Sequence, residues 1–172
     1  MSADERREAV LDAAVIEFGQ NGFTAATTEA IARRVGVSQP YLFRLFPSKK
    51  AMFLAAMERC FSTIENLFHE STAGRTEDEA MMAMGAAYNG LLENREILQM
   101  QLQMWAFACQ DEEIRAVARR GMSRLWSLAQ KLSGADDQRV MQFMANGMLL
   151  NVFAAMDLPR IKEHLGESLQ GL

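Results

Sequence analysis

Apolar residues recur every three to four positions through most of this chain, which is the spacing of one face of an α-helix. No segment alternates apolar and polar residues as a half-buried strand does. The first amphipathic segment runs from Asp4 to Gln20 and stops at Asn21-Gly22, residues that commonly end helices. With only 3 prolines in 172 residues, the pattern predicts an all-α fold.

Two short helices joined by a tight turn are predicted between Thr27 and Lys50. Gly36 ends the first helix, because glycine adopts at little cost the left-handed conformation that often follows a helix. Ser38 can cap the second helix through its hydroxyl, and Pro40 falls in the first turn, where a missing N–H costs nothing. The apolar anchors of this second helix are Leu42, Phe43, Leu45 and Phe46. The residues left to face outward are Gln39, Tyr41 and Arg44.

Longer helices are predicted for the rest of the chain. A helix over residues 48–69 is too long for a small N-terminal bundle and is expected to connect that bundle to the C-terminal helices. Thr76 and Glu79 have the spacing of a capping box at the start of another helix. A break near residues 93–96 precedes the next helix, and acidic clusters are expected to cap the last two, over 111–132 and 136–156. The tail to Leu172 is expected to form a short helix.

Positive charge is concentrated near the N-terminus, although the net charge is −4. Residues 1–50 hold 7 Lys and Arg against 6 Asp and Glu, whereas residues 51–172 hold 11 against 16. Between Glu29 and Glu58 there are five cations and no acid. Arg6 and Arg7, in the first turn of a helix, indicate either a nearby anion or ordinary solvation. A short polar helix flanked by cations fits the DNA major groove; a core-forming helical hairpin with a solvated basic edge is the alternative.

The cysteines and the chain's apolar runs bear on its location. Cys60 and Cys109 lie far apart in apolar helical segments, which predicts reduced, buried thiols; a redox switch is the alternative. We expect no signal peptide, because the N-terminus SADERREAV is charged. The longest apolar run, residues 141–158, is short and contains polar residues, so no membrane span is expected. A cytoplasmic protein is therefore predicted.

The last two predicted helices carry matching apolar stripes. The second is apolar over a surface too wide for a helix that is covered on one side only. We therefore predict an antiparallel hairpin that packs against its copy in a second chain, giving a homodimer. The predicted interface residues are Val117, Gly121, Leu125, Leu128, Phe143, Gly147 and Asn151. Burial of the same stripe inside one chain is the alternative.

Residues 5–60 resemble the TetR family of bacterial transcription regulators. The resemblance rests on the Thr27-Thr28 start and on the segments IARRVGVS, YLFRLF and PSKKAMF. It implies an all-α homodimer with an N-terminal helix-turn-helix DNA-binding domain, residues 1–50, and a C-terminal ligand-binding and dimerisation domain, residues 51–172. It also implies a repressor, whose partners are a near-palindromic double-stranded DNA operator and a small effector that releases the protein from it.

The resemblance further implies which residues contact DNA, namely Thr28, Ser38, Gln39, Pro40, Tyr41, Arg44 and Lys49. The first two and the last match phosphate-contacting positions, and the others match positions that reach into the groove. By their chemistry, Arg44 can read guanine, Gln39 can read adenine, and Tyr41 can contact a thymine methyl group or a phosphate. Pro40 and Phe43 depart from the family, which commonly has a glycine and a tyrosine there. Phe43 therefore lacks a hydroxyl for one usual phosphate contact.

The effector site is expected among the helices of residues 77–156. The chain has 13 methionines, whose thioethers adapt to varied apolar ligands, so a mostly apolar effector is predicted. The residues predicted to line the pocket are Met81, Met84, Tyr88, Met100, Met104, Trp105, Phe107, Met144 and Met148. Asn89 and Asn151 can orient a polar group of the ligand. Plain core packing is the alternative for each of these methionines.

An enzyme and a helical adaptor are the competing interpretations. The two histidines, His69 and His164, lie near predicted helix ends, and the chain has no HExxH, CxxC, GxSxG or glycine-rich phosphate loop. No catalytic residue, metal or cofactor is therefore predicted. An adaptor that only dimerises would leave the basic, acid-free segment without a role.

Overall fold

The computed structural model describes residues 3–158, and in this range the chain forms eight α-helices and no strand. The helices are α1 Ala3–Ala25, α2 Thr28–Val35, α3 Gln39–Leu45, α4 Lys49–Ser71, α5 Glu77–Leu91, α6 Arg95–Ala108, α7 Glu112–Ser133 and α8 Asp137–Ala155. The predicted all-α fold is thus confirmed. The helix expected in the tail, together with His164, lies outside the described residues.

Local hydrogen bonds and one glycine define the ends of α2 and α3, and Gly36 and Ser38 have the roles predicted for them. The Thr27 hydroxyl accepts a hydrogen bond of 3.1 Å from the Ala30 N–H and caps α2. Gly36 ends α2 with φ of 75°, in the left-handed region that glycine tolerates. The Ser38 hydroxyl accepts a bond of 3.3 Å from the Tyr41 N–H and caps α3. Gly36 and Ser38 therefore set the angle at which α3 leaves α2.

α1 continues past its predicted end at Gln20, but Gly22 interrupts it. The φ of 69° and ψ of 173° at Gly22 lie outside the helical region. The positive φ is the reason for glycine here; a Cβ would lie 2.9 Å from the side-chain oxygen of Gln103, the mobile end of a flexible side chain. The interruption turns Phe23 back toward Phe53 and Phe107, with ring centroids 5.2 Å and 5.7 Å away.

The chain divides into two compact units, and the division falls within helices rather than between them. Among the described residues, the first unit comprises 3–60 and 99–119, and the second comprises 61–98 and 120–158. The first unit therefore contains α1 to α3, the start of α4, most of α6 and the start of α7. The predicted boundary after residue 50 separates a DNA-binding part from a ligand-binding part and is not a boundary between these compact units. It stays a prediction.

Each unit has its own apolar core. In the first unit, fully buried side chains come from every helix of the bundle: Val10, Phe18, Ile31, Leu42, Met52, Phe53, Met57, Met100 and Ile114. In the second, α5 packs on α8, and the ring of Phe68 contacts Tyr88 and Phe143 at centroid distances of 6.5 Å and 5.7 Å. Burying a large side chain of this kind contributes about 1.5–3 kcal/mol, so these two clusters are the main source of each unit's stability.

Two local predictions are wrong. The Thr76 side chain makes no capping hydrogen bond, because Glu77 after it has φ of 50° and the first turn of α5 lacks the geometry of a capping box. Cys109 is exposed, since it follows the last residue of α6, whereas Cys60 is buried as expected. Burial raises the pKa of the Cys60 thiol to about 12. The acidic caps are confirmed for Asp111 and Asp136, whose carboxylates accept from backbone N–H groups.

The residues predicted to form a dimer interface face the interior of the second unit or, for Val117, lie buried in the first. A Cβ on Gly121 would collide with the ring of Phe61, and one on Gly147 would touch Tyr88 at 3.6 Å. Leu125 is buried, Leu128 and Phe143 are half-buried, and the fully buried Asn151 bonds to Tyr88. This burial agrees with the alternative of packing inside one chain, and the dimer and its interface residues stay predictions.

None of the described helices is long and apolar enough to cross a membrane.

Candidate nucleic-acid interface

α3 exposes one face to solvent and buries the other. Leu42 is fully buried, and Phe46, which caps the helix C-terminus, is 2 % exposed. Pro40, Phe43 and Arg44 are exposed, and the last two lie next to each other in sequence. The prediction that Phe43 anchors α3 to the core is wrong, because at 41 % exposure its ring lies on the outward side, one position past Leu42. The outward face thus carries an apolar ring beside a guanidinium.

Two arginines of α1 lie beside this face. The Arg6 guanidinium carbon is 5.6 Å from the centroid of the Tyr41 ring, and that of Arg44 is 6.0 Å from the same ring. Arg7 donates a hydrogen bond of 3.2 Å to the Leu45 carbonyl at the C-terminus of α3. Three guanidinium groups separated by up to 38 positions in sequence are therefore brought to one side of the bundle. Of the two interpretations of Arg6 and Arg7, this placement favours a nearby anion.

The two lysines at the start of α4 have different environments. The Lys49 ammonium donates to the Thr24 carbonyl at 3.0 Å, which leaves two of its three N–H donors for another acceptor. The Lys50 ammonium lies 2.8 Å from carboxylate oxygens of both Asp111 and Glu113. The Asp111 hydrogen bond, followed by that of Glu113, raises the pKa of Lys50. Lys50 is thus neutralised by its own chain, and Lys49 is the lysine available to a phosphate.

Thr28, Glu29 and Gln39 are joined by hydrogen bonds across the α2–α3 turn. The Gln39 amide nitrogen donates to the Thr28 hydroxyl at 2.7 Å and to the Glu29 carboxylate at 2.6 Å. Thr28 is 7 % exposed, so its hydroxyl is occupied inside the protein rather than offered to solvent. Glu29 was not among the predicted site residues. Its signal in the sequence was its place directly after Thr28, at the edge of the acid-free segment.

Hydrogen bonds to the Glu29 carboxylate favour its charged form. Its own backbone N–H lowers the pKa of its carboxyl, and the Gln39 amide lowers it further. The other acid of this region, Glu17, is buried and bonds to the Asn21 amide and the Thr27 N–H. Glu29 is therefore an exposed carboxylate next to α3, on a surface otherwise rich in arginine.

The predicted pocket residues are divided between the two units. Met100, Met104 and Trp105, together with Phe107, belong to the first unit. Met81, Met84, Tyr88, Met144 and Met148 belong to the second. In the second unit Met84 is fully buried, Tyr88 is nearly so, and Met148 is 38 % exposed. The Asn151 amide nitrogen donates to the Tyr88 hydroxyl at 2.7 Å and to the Gly147 carbonyl at 2.8 Å, while its oxygen has no hydrogen-bond partner among the described residues.

An exposed apolar stripe lies on the outer face of α8, the helix that was predicted to be apolar over a wide surface. Its exposed members are Met141, Met148, Leu149, Val152 and Met156, which recur at helical spacing. Val152 is 46 % exposed and Met156 is 55 % exposed. This stripe is a different face of α8 from the one formed by Gly147 and Asn151.

Known proteins resemble the N-terminal helices of this chain in sequence. Residues 10–56 match the family model described as bacterial regulatory proteins, tetR family. The nucleoid occlusion factor SlmA of Haemophilus ducreyi is 34 % identical over 93 residues, which are 54 % of this chain and 45 % of that protein. The transcriptional repressor KstR of Mycobacterium tuberculosis is 32 % identical over 55 % of this chain and 43 % of its own. The activator FasR of Mycolicibacterium smegmatis is 45 % identical over 33 % of this chain and 26 % of its own. The chain thus matches less than half the length of these relatives.

Solved structures share the fold over nearly the whole chain. A TetR-like transcriptional regulator from Rhodococcus sp. RHA1 has a TM-score of 0.70 at 20 % identity, over 90 % of this chain and 84 % of that one. A protein of Saccharomonospora viridis in complex with choline has a TM-score of 0.77 at 17 % identity, over 98 % and 95 %. The regulator FadR of Bacillus subtilis in complex with stearoyl-CoA has a TM-score of 0.76 at 13 % identity, over 94 % of both chains. Residues 10–56 therefore carry the sequence pattern of the TetR family of bacterial regulatory proteins, and the described part of the chain has the fold of TetR-like transcriptional regulators.

Proposed function

We propose that this chain is a DNA-binding transcription regulator, a homodimeric repressor that places α3 in the major groove of a near-palindromic operator. The observation that carries the proposal is the outward face of α3, where Phe43 and Arg44 are exposed beside Arg6 and Arg7. A guanidinium can bond both acceptors of guanine, and a phenyl ring can contact a thymine methyl group. The family of the N-terminal domain supports the same use of this helix.

Phosphate contacts are proposed for residues around α3. Ser38 is exposed at the helix N-terminus, and Lys49 keeps donors for an anion. Arg7 is exposed at the other end of the helix. A hydroxyl at one end of a recognition helix and cations at the other fix its register along the duplex without reading bases. Thr28 is proposed to contact phosphate through its backbone N–H, since its hydroxyl is bound to Gln39.

Selection of bound duplexes from a random DNA pool tests DNA binding, palindromy and half-site spacing together. We expect two half-sites about one helical turn apart, since a two-fold dimer presents its recognition helices roughly 34–36 Å apart. Arg44→Ala should weaken binding to the selected operator by roughly 5- to 150-fold per half-site and relax the preference at one base pair.

Arg33→Ala is a control for charge alone, because Arg33 is exposed on α2 rather than on α3. It should weaken binding to all sequences alike. If Arg44→Ala and Arg33→Ala weaken binding equally and change no base preference, α3 does not read bases as proposed.

The dimer is proposed to form through the outer stripe of α8 rather than through the residues first predicted. Exposed apolar side chains at helical spacing form a continuous surface that a second copy can cover about a two-fold axis. Val152→Asp should produce a monomer at micromolar concentration in sedimentation, because it places a charge in that surface. Met82→Asp is the matched control, since Met82 is exposed to a similar extent, 43 %, on α5. Dissociation by both substitutions, or by neither, would contradict this placement.

A small, mostly apolar effector is proposed to bind in the helical part after residue 50 and to release the operator. The stearoyl-CoA complex of FadR supports an acyl ligand for this fold, and the choline complex supports a cationic one. In the second unit, the unpartnered oxygen of Asn151 would accept a hydrogen bond from a polar group of the ligand. α4 runs from Lys49 to Ser71 and through both units, so we propose that it transmits the change of state.

Titration of a preformed protein–DNA complex with stearoyl-CoA, free stearate and choline tests release. An effector must favour the DNA-free state by several kcal/mol to empty the operator, and DNA must weaken its binding by the same factor. We expect an acyl compound to dissociate the complex and Asn151→Leu to weaken this response. Acyl binding that leaves DNA affinity unchanged would refute release by this class of ligand. A reporter gene driven from the selected operator distinguishes repression from activation.

A further inference from the structure

The side chain of Gln39 has fewer hydrogen-bonding groups free for a ligand than a glutamine in solution has. A glutamine amide has two N–H donors and one carbonyl acceptor. Here the nitrogen lies 2.7 Å from the Thr28 hydroxyl oxygen and 2.6 Å from a Glu29 carboxylate oxygen, so both donors are directed into the protein. The Thr28 hydroxyl is in turn 3.4 Å from the other oxygen of Glu29, which closes a ring of three side chains. The carbonyl oxygen of Gln39 is what remains for a ligand.

The orientation of this amide is set by Glu29. An ionised carboxylate only accepts hydrogen bonds, so the amide nitrogen rather than the amide oxygen must face it. The hydrogen bonds to Glu29 also lower the pKa of its carboxyl, which keeps it ionised near neutral pH. Rotating the amide to free its donors would bring two acceptors together. Gln39 and the exposed Glu29 therefore form an edge that accepts hydrogen bonds and carries negative charge.

The four bases differ in how well they match such an edge in the major groove. Guanine offers two acceptors, and thymine offers an acceptor and a methyl group. Adenine offers an acceptor and a donor, and its usual contact with glutamine needs the N–H that Gln39 has already used. Cytosine offers its amino donor without an acceptor. An acceptor-only edge therefore matches cytosine best.

We propose that Glu29 determines the base preference of Gln39, making it select a C·G pair where a glutamine with free donors would select an A·T pair. The proposal rests on the DNA-binding function proposed above. It replaces the expectation that Gln39 reads adenine, and it assigns a specificity role to a residue of α2. Glu29 acts as a positioning residue for Gln39 and adds an acceptor of its own.

Two substitutions separate the hydrogen bond from the charge. Glu29→Ala removes the carboxylate and frees one Gln39 donor. Glu29→Gln removes the charge but keeps a carbonyl oxygen that can accept from the same amide. Thr27, which caps α2, is untouched in both, so neither change removes that cap. The base pair that Gln39 faces is located as the position at which Gln39→Ala loses its preference in selection from a random duplex pool.

We expect the unsubstituted chain to prefer C·G at that position and Glu29→Ala to prefer A·T, by roughly 5- to 150-fold for a bidentate contact. Glu29→Gln should keep the C·G preference while binding all sequences more tightly, because it removes a negative charge from the DNA-facing surface. Glu29→Ala combined with Gln39→Ala should show no preference at this pair.

The results that overturn the proposal are distinct from those that overturn DNA binding. Equal gains in affinity for Glu29→Ala and Glu29→Gln, with one unchanged base preference, would mean that Glu29 acts only through its charge. A preference of the unsubstituted chain for A·T at the Gln39 position would also refute the proposal. Failure of every variant to enrich any sequence would instead refute the DNA-binding function, and this inference with it.

Discussion

Substituting alanine at Gly121 tests the assignment of the inward face of α7. A Cβ there would lie 2.5 Å from Cγ of Phe61 and closer still to two other ring atoms, whereas ordinary contacts begin near 3.4 Å. Phe61 is 1 % exposed, so its ring has little room to withdraw by the ångström required. Overpacking of this kind costs about 1–3 kcal/mol, and the better helix propensity of alanine offsets about 1 kcal/mol. We expect a net loss of up to about 2 kcal/mol in the free energy of unfolding.

Gly147→Ala is the matched control, because the added Cβ would meet Tyr88 at an ordinary 3.6 Å. It should leave the free energy of unfolding unchanged or raise it by up to about 1 kcal/mol, from helix propensity alone. Urea unfolding followed by circular dichroism, at one protein concentration for all variants, measures the difference. Thermal unfolding should place the midpoint of Gly121→Ala below that of the unsubstituted chain by up to about 8 °C.

The position of the Phe61 ring can be tested directly with a double-mutant cycle. Phe61→Leu removes ring atoms, so Gly121→Ala should cost less in that background, with a coupling energy of about 0.5–3 kcal/mol. Sedimentation should show that Gly121→Ala leaves the association state unchanged. A stable, folded Gly121→Ala variant that dissociates the dimer would place Gly121 at the interface between chains, and our packing argument would be refuted.

Three further predictions concern the first unit. Lys49→Ala should weaken DNA binding at all sequences alike and reduce the slope of log K against log salt by about 1. Lys50→Ala should change that slope less, because Lys50 is already paired with carboxylates of its own chain. Equal slopes for the two variants would contradict the different environments of the two lysines. The hydrogen bond from Lys50 lowers the pKa of the Asp111 carboxyl. The stability that this hydrogen bond contributes is therefore fully present above the ordinary pKa of an aspartate, and it is lost as the pH falls through the lowered pKa of Asp111. Asp111→Asn should therefore lower the thermal midpoint at pH 7 and lose that effect in acid, and a difference that grows below pH 4 would argue against the ion pair. In the native protein a thiol reagent at pH 8 should modify the exposed Cys109 and spare Cys60, whose pKa is about 12; two fast-reacting thiols would show that Cys60 is not buried.

Local chemistry made much of the fold predictable from the sequence. Thr27, Gly36 and Ser38 act on the backbone within three or four residues, so their roles at the ends of α2 and α3 follow from spacing alone. The same holds for the caps at Asp111 and Asp136. Long helices with strong apolar periodicity were likewise located within a few residues of their ends.

Contacts between distant positions were not predictable in this way. Arg6 meets Tyr41 across 35 residues, and Gln39 meets Glu29 across the α2–α3 turn, so periodicity gives no sign of either. The division of α8 into an inward and an outward apolar face was not predictable for a related reason. Apolar residues cover a wide surface of that helix, and spacing alone did not indicate that Gly147 lies against Tyr88 of the same chain.

The contact of the Tyr41 ring with two arginines has a consequence for the entropy of binding. Each guanidinium lies within about 6 Å of the ring centroid, a geometry that stabilises an exposed cation by about 0.5–1 kcal/mol. A free arginine loses about 0.5–1.5 kcal/mol of side-chain freedom when an interface immobilises it. The ring therefore restricts Arg6 and Arg44 before DNA arrives, and Tyr41 can strengthen binding without touching a base. Tyr41→Leu should then leave the preferred sequence unchanged while making the entropy of association less favourable in calorimetry.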